Sequence, residues 1–142
     1  MQKRTFTLLV IFSAFILIFS SCGKYEDGPA LSVIPKKSRV ANIWKIEKVF
    51  VNDVDRTSLY EAFISTYKLE LTKDEKLTET YTNTLGSVSE NGTWELTNSN
   101  EDITFTISGT KTTYKIMRLK MNEMWLERTD AGQKFTRHYV TF

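Results

Sequence analysis

The 142-residue chain holds one cysteine, Cys22, and one histidine, His138, and those two residues bound its reactive chemistry. A nucleophilic thiol needs a partner base and a structured pocket. Cys22 instead lies between an apolar run and a charged segment containing Gly28 and Pro29. One His and one Cys cannot supply the usual nitrogen and sulfur ligands of a zinc centre. His138 falls in Phe135-Thr136-Arg137-His138-Tyr139-Val140, where it reads as an ordinary strand residue, and no positive sign of a Ser-His-Asp arrangement accompanies it. The carboxylate pairs Asp53/Asp55 and Asp74/Glu75 lie in turn-forming stretches, where acids stay solvated. Paired acids in hydrolysis require one shielded carboxyl. Asn52-Asp53-Val54-Asp55 also lacks the spacing and terminal Glu of a calcium loop. The expectation is a protein that is not an enzyme, with no catalytic residue, no metal and no cofactor.

Acylation accounts for Cys22 better than catalysis does. Lys3 and Arg4 precede an apolar run over residues 5–19, and Ser20-Ser21 stand directly before the cysteine. A basic start, a short apolar middle and small residues at the cut form a secretion signal, and the run is shorter than the roughly 20 residues that span a bilayer. Ile18-Phe19-Ser20-Ser21-Cys22 resembles the lipoprotein cleavage box, with Phe19 in place of the usual leucine. The resemblance implies a signal peptide over 1–21, a palmitate-bearing, membrane-anchoring Cys22, and a location in the bacterial cell envelope, at the periplasmic face or surface of the outer membrane. Multiple acyl chains hold a protein stably where one does so marginally. Glu26 and Asp27 resemble the short acidic export signals of surface lipoproteins in the Bacteroidetes and read equally well as a solvated linker pair.

Removing residues 1–21 takes the basic count from 19 to 17 against 17 acidic residues, so the net charge falls from +2 to zero. Without a basic stripe nothing attracts nucleic acid. What remains is about 120 residues, the size of one domain. With no second cysteine, the core alone must hold it. Residues 22–40 read as an acylated N-terminus and flexible tether, broken by Gly28-Pro29 and Pro35-Lys36-Lys37, and 41–142 as the folded domain.

From residue 41 onward, alternation and β-branched and aromatic residues predict strands over 43–51, 66–72, 77–85, 92–97, 102–108, 112–120, 123–129 and 134–142. Turn-formers such as Asn52-Asp53, Ser108-Gly109 and Asp130-Ala131-Gly132 separate them. A short helix after the first strand, capped by Ser58 and presenting Leu59 and Phe63 with Tyr60 and Ile64 on its inner face, fills the longest connection. One face of each strand is apolar and the other polar, as in antiparallel sheets. Closure removes the two exposed edges. The expected fold is an all-β, eight-stranded antiparallel up-and-down barrel.

Asn42-Ile43-Trp44-Lys45-Ile46, Gly92-Thr93-Trp94-Glu95-Leu96, Thr113-Tyr114-Lys115-Ile116 and Met124-Trp125-Leu126, in that order, resemble the lipocalin-like lipoproteins of Bacteroidetes. The resemblance implies a lipocalin-like barrel more firmly than an activity. Lipocalins proper, carriers of small apolar ligands, usually place Gly two residues before the first-strand Trp, where this chain has Asn42.

The inward faces nominate Trp44, Tyr67, Glu79, Tyr81, Asn83, Trp94, Phe105 and Tyr114 as a ligand-binding set. An eight-stranded barrel either fills with side chains or keeps room for one small ligand. Thr78, Thr80, Thr82 and Thr84 occupy one outer face, and Thr104 and Thr106 another. Two readings follow. In one, the barrel is a calyx for a small apolar or amphipathic ligand. In the other, a solid barrel uses its outer faces to meet an envelope protein or glycan. An interior volume below about 300 Å³ excludes the calyx.

Overall fold

The computed structural model describes residues 33–142. Cys22, the signal peptide and most of the tether lie outside them. In chain order the elements are α1 (Lys36–Val40), β1 (Ile43–Val51), β2 (Val54–Asp55), α2 (Thr57–Phe63), β3 (Ile64–Leu71), β4 (Lys76–Asn83), β5 (Gly86–Thr97), β6 (Asp102–Ile107), β7 (Thr110–Leu119), β8 (Glu123–Asp130) and β9 (Gln133–Thr141). Strands β3 to β9 pair antiparallel in sequence order, and β1 pairs with β3 on one side and β9 on the other. Eight staves therefore close an up-and-down barrel. The two-residue β2 only folds back on β1, with Phe50 opposite Asp55.

The connections are as tight as the sequence suggests. Asn52 and Asp53, with φ of 50° and 63°, and Ser108 and Gly109, with φ of 50° and 78°, take the left-handed geometry that two-residue hairpin turns require. Strand β5 is longer than its apolar pattern predicts. It starts at Gly86 because the polar run Ser87-Val88-Ser89-Glu90-Asn91 pairs fully with β4. Side-chain hydrogen bonds link Thr82 to Ser87, Thr80 to Ser89 and Thr78 to Asn91 at 3.0 to 3.3 Å. Most of the outer threonine row is thus occupied by cross-strand bonding, and Thr97, Thr104 and Thr113 form a second such ladder.

The core fills one end of the barrel. Trp44, Trp94, Ile103, Ile116, Leu119, Met124 and Leu126 are at most 2% exposed, as are Leu69 and Leu77 at the upper boundary of this packing. Each buried side chain of this size stabilises by roughly 1.5–3 kcal/mol. The two indoles settle their N–H groups on backbone carbonyls, Trp44 on Val40 at 2.9 Å and Trp94 on Thr72 at 3.0 Å. Helix α1 seals this end. Val40 is fully buried, and the Arg39 guanidinium donates to the Leu119 carbonyl at 2.6 Å. The domain boundary expected at residue 41 is therefore corrected: residues 36–40, read as tether from their Pro-Lys-Lys composition, are the plug of the barrel.

The other end is looser, because β1 and β3 share only the pairs Ile43–Glu70 and Trp44–Leu69 before they diverge. A bulge between Ile46 and Lys48 resets β1, so that Val49 faces in and Phe50 faces out beside His138. Helix α2 lies across the resulting seam, against β1 and β3. Its facing matches the expectation for Tyr60 and Ile64 and corrects it for Leu59 and Phe63. Leu59 and Phe63 are 56% and 62% exposed, while Tyr60 and Ile64 turn toward the barrel. Ser58 does not cap it either. Asp55 accepts from the Thr57 N–H at 2.8 Å, and the Thr57 hydroxyl accepts from Val49 at 3.1 Å, which ties the first turn to β1.

Candidate functional site

Above the apolar floor the inner wall changes character. Strand β4 contributes Glu79 one step beyond buried Leu77, and β5 places Glu90 directly opposite Glu79. Strand β3 contributes Tyr67, β7 Tyr114, and β9 Arg137 and Tyr139. These groups line a cavity of about 300 Å³, with Leu69, Leu77, Phe105 and Ile107 as its apolar surface. Ser108, Thr110 and Thr112 complete its upper wall.

The polar groups are only partly matched. The Tyr67 phenol donates to the Glu79 carboxylate at 2.7 Å. The neighbouring Tyr139, acting against the penalty of burial, holds the Arg137 guanidinium above its ordinary value. Among the described residues no carboxylate reaches Arg137 at salt-bridge distance, and no cation reaches Glu79 or Glu90. Burial pushes Tyr67 well above the usual phenol range and also raises Tyr114. Tyr60, from α2, is pushed up to about 12 by burial, and the charged and phenolic groups acting on it are Arg137, Tyr139, Glu79 and Tyr81. Helix α2 places that phenol in a separate small hollow along the seam, with Ile46, Ile64 and Tyr67. Rings pack around the main chamber, with Phe105 and Tyr114 centred 5.3 Å apart and Tyr67 and Tyr139 6.2 Å apart.

Of the eight nominated residues, the structure brings four together on the cavity: Tyr67, Glu79, Phe105 and Tyr114. Trp44 and Trp94 are corrected to floor residues, since both are buried in the packed end with their N–H groups satisfied by backbone. Asn83 is corrected to the last residue of β4, outside the chamber lining, where its side chain accepts from the Leu85 N–H of the following turn at 2.8 Å. Tyr81 sits across from Tyr67 on the inner face but outside the lining of the chamber. The groups missed are Glu90, Arg137 and Tyr139. Alternation along Phe135, Arg137 and Tyr139 carries the signal for the last two, because it puts the cation on the same face as two aromatics.

A second hollow, broader and open to solvent, lies on the outer wall around Phe50, Trp125 and His138. Trp125 stacks on His138 at 4.0 Å, and the Arg118 guanidinium covers it at 4.8 Å. Both faces of the indole are thus taken. Among the described residues no group of three His, Cys, Asp or Glu side chains could hold a metal, and no helix is long and apolar enough to cross a membrane.

The fold and chamber define a closed antiparallel β-barrel with one packed end and one partly hollow, polar end. No protein-family model matches this chain, and no curated protein does.

Proposed function

We propose that this chain is a lipid-anchored, lipocalin-like binding protein of the bacterial envelope that holds one small amphipathic ligand in the hollow end of its barrel and performs no catalysis. The observation that carries the reading is the chamber of about 300 Å³, at the lower end of ordinary ligand pockets. Its lining suits a ligand with an apolar body against Leu69, Leu77, Phe105 and Ile107 and polar ends among Tyr114, Arg137 and the two glutamates. Anchoring rests on the Lys3-Arg4 start, the apolar run and Cys22. Acyl chains on Cys22 leave the barrel itself free to work in water.

Native mass spectrometry of the folded chain after incubation with a bacterial lipid and metabolite extract tests the binding role. One-to-one adducts are expected from the wild type and not from Thr112→Trp, which fills the chamber. A bare wild-type mass would leave the solid-barrel reading in possession. Anchoring is tested separately by labelling cells with a palmitate analogue, which marks the wild type and not Cys22→Ser.

A further inference from the structure

The chamber carries opposite charges on opposite walls. Around the closed barrel the staves run β1, β3, β4, β5, β6, β7, β8 and β9, so β5 stands four staves from β9 in either direction. Glu90 on β5 is therefore diametrically across from Arg137 on β9, with Glu79 beside Glu90. Two like charges directly opposite on neighbouring strands destabilise a sheet unless something compensates them. Among the described residues no lysine or arginine does so for Glu79 and Glu90, and no carboxylate does so for Arg137. Tyr67 donates to one oxygen of Glu79, and Arg137 brings a five-donor guanidinium to the chamber wall. Between the poles lies the apolar belt of Leu69, Leu77, Phe105 and Ile107.

We propose that the ligand is a small zwitterion, its oxyanion on Arg137 and its ammonium group between Glu79 and Glu90, with a short apolar middle on the belt. A singly charged molecule would complete one wall and leave the other unmet. A neutral one would leave both. The zwitterion meets both and brings no net charge into a partly buried site, where an unpaired charge is costly.

This proposal rests on the calyx reading, and the test separates the two. Isothermal titration compares 6-aminohexanoate with hexanoate, hexylamine and hexanol, which share the six-carbon length and differ in the poles. Charge-assisted hydrogen bonds of this kind imply that 6-aminohexanoate binds at least about tenfold more tightly than any of the other three. Arg137→Gln should erase its advantage over hexylamine, and Glu90→Gln should erase most of its advantage over hexanoate. Arg137→Lys, which keeps the charge, should retain part of the preference and shows that the loss is not one of folding. Equal binding of all four probes would keep the calyx and overturn the zwitterion. Tighter binding of hexanoate or hexylamine would do the same by showing that one wall alone recognises the ligand. Binding of none would remove the calyx, and the zwitterion with it.

Discussion

The Tyr67 phenol and the Glu79 carboxylate are joined at 2.7 Å on the inner wall of the barrel, a contact between β3 and β4 at the level where apolar packing ends. Its electrostatic setting makes a prediction at high pH. Burial raises Tyr67 well above its ordinary value, and Tyr60 to about 12. A tyrosine with a raised folded value keeps its proton while the unfolded chain loses one, so stability is full below about pH 10 and falls as pH rises beyond it. Phenolate absorbance should show Tyr60 titrating near 12 in the folded protein and Tyr67 ionising only with unfolding. Tyr67→Phe, which leaves Glu79 without its donor, should lower stability by about 1–2 kcal/mol at neutral pH in urea melts.

His138 makes the opposite prediction at low pH. Burial under Phe50 and Trp125 lowers it, Lys48 and Arg118 add to the shift, and Glu123 and Glu47 oppose it. The unfolded chain then binds a proton that the folded one refuses, so stability falls as pH drops through the unfolded value of about 6.5 and levels off below the folded value. NMR titration of the imidazole should place its midpoint below 6.5. His138→Phe should flatten the slope of stability against pH in that range.

Gly92 tests the close approach of β5 to β6. A Cβ built there would fall on the Thr106 carbonyl, backbone of the neighbouring strand rather than the end of a flexible side chain, at the last pair of the β5–β6 ladder. Gly92→Ala should cost about 1–3 kcal/mol by overpacking, measured as a lower urea midpoint. An unchanged midpoint would mean that β5 and β6 are not so closely apposed.

Helix α1 should behave as part of the fold. A chain starting at residue 41 loses the burial of Val40 and the Arg39 bond to Leu119, and leaves the Trp44 N–H without its carbonyl. About 1.5–3 kcal/mol for the first and a similar amount for the charged hydrogen bond make a deficit that melting curves resolve easily. A free tether would show none.

Much of the barrel is legible in the sequence because its packed end obeys alternation. Leu69 and Leu71, Trp94 and Leu96, and Ile103 and Phe105 each mark an inner face, and β1 runs over the 43–51 predicted for it. Legibility fails where polar residues do structural work. The first half of β5 is held by hydroxyl and amide pairs rather than apolar ones, and α1 is only five residues long, with its burial confined to Arg39 and Val40. The site suffered from the same bias. An inward aromatic does not by its type distinguish floor from chamber, as Trp44 and Trp94 show, and Arg137 reads as an outer charge although it shares its face with Phe135 and Tyr139.

A calyx of this shape takes up a ligand at its hollow end and not at its packed end. Methyl NMR of the folded chain, titrated with short amphiphiles of four to eight carbons, tests it most directly. Saturable shifts are expected at Leu69, Leu77 and Ile107, which line the chamber, and none at Leu119, Leu126 or Met124, which lie in the packed end. Shifts that fail to saturate, or that spread evenly over both sets, would contradict it.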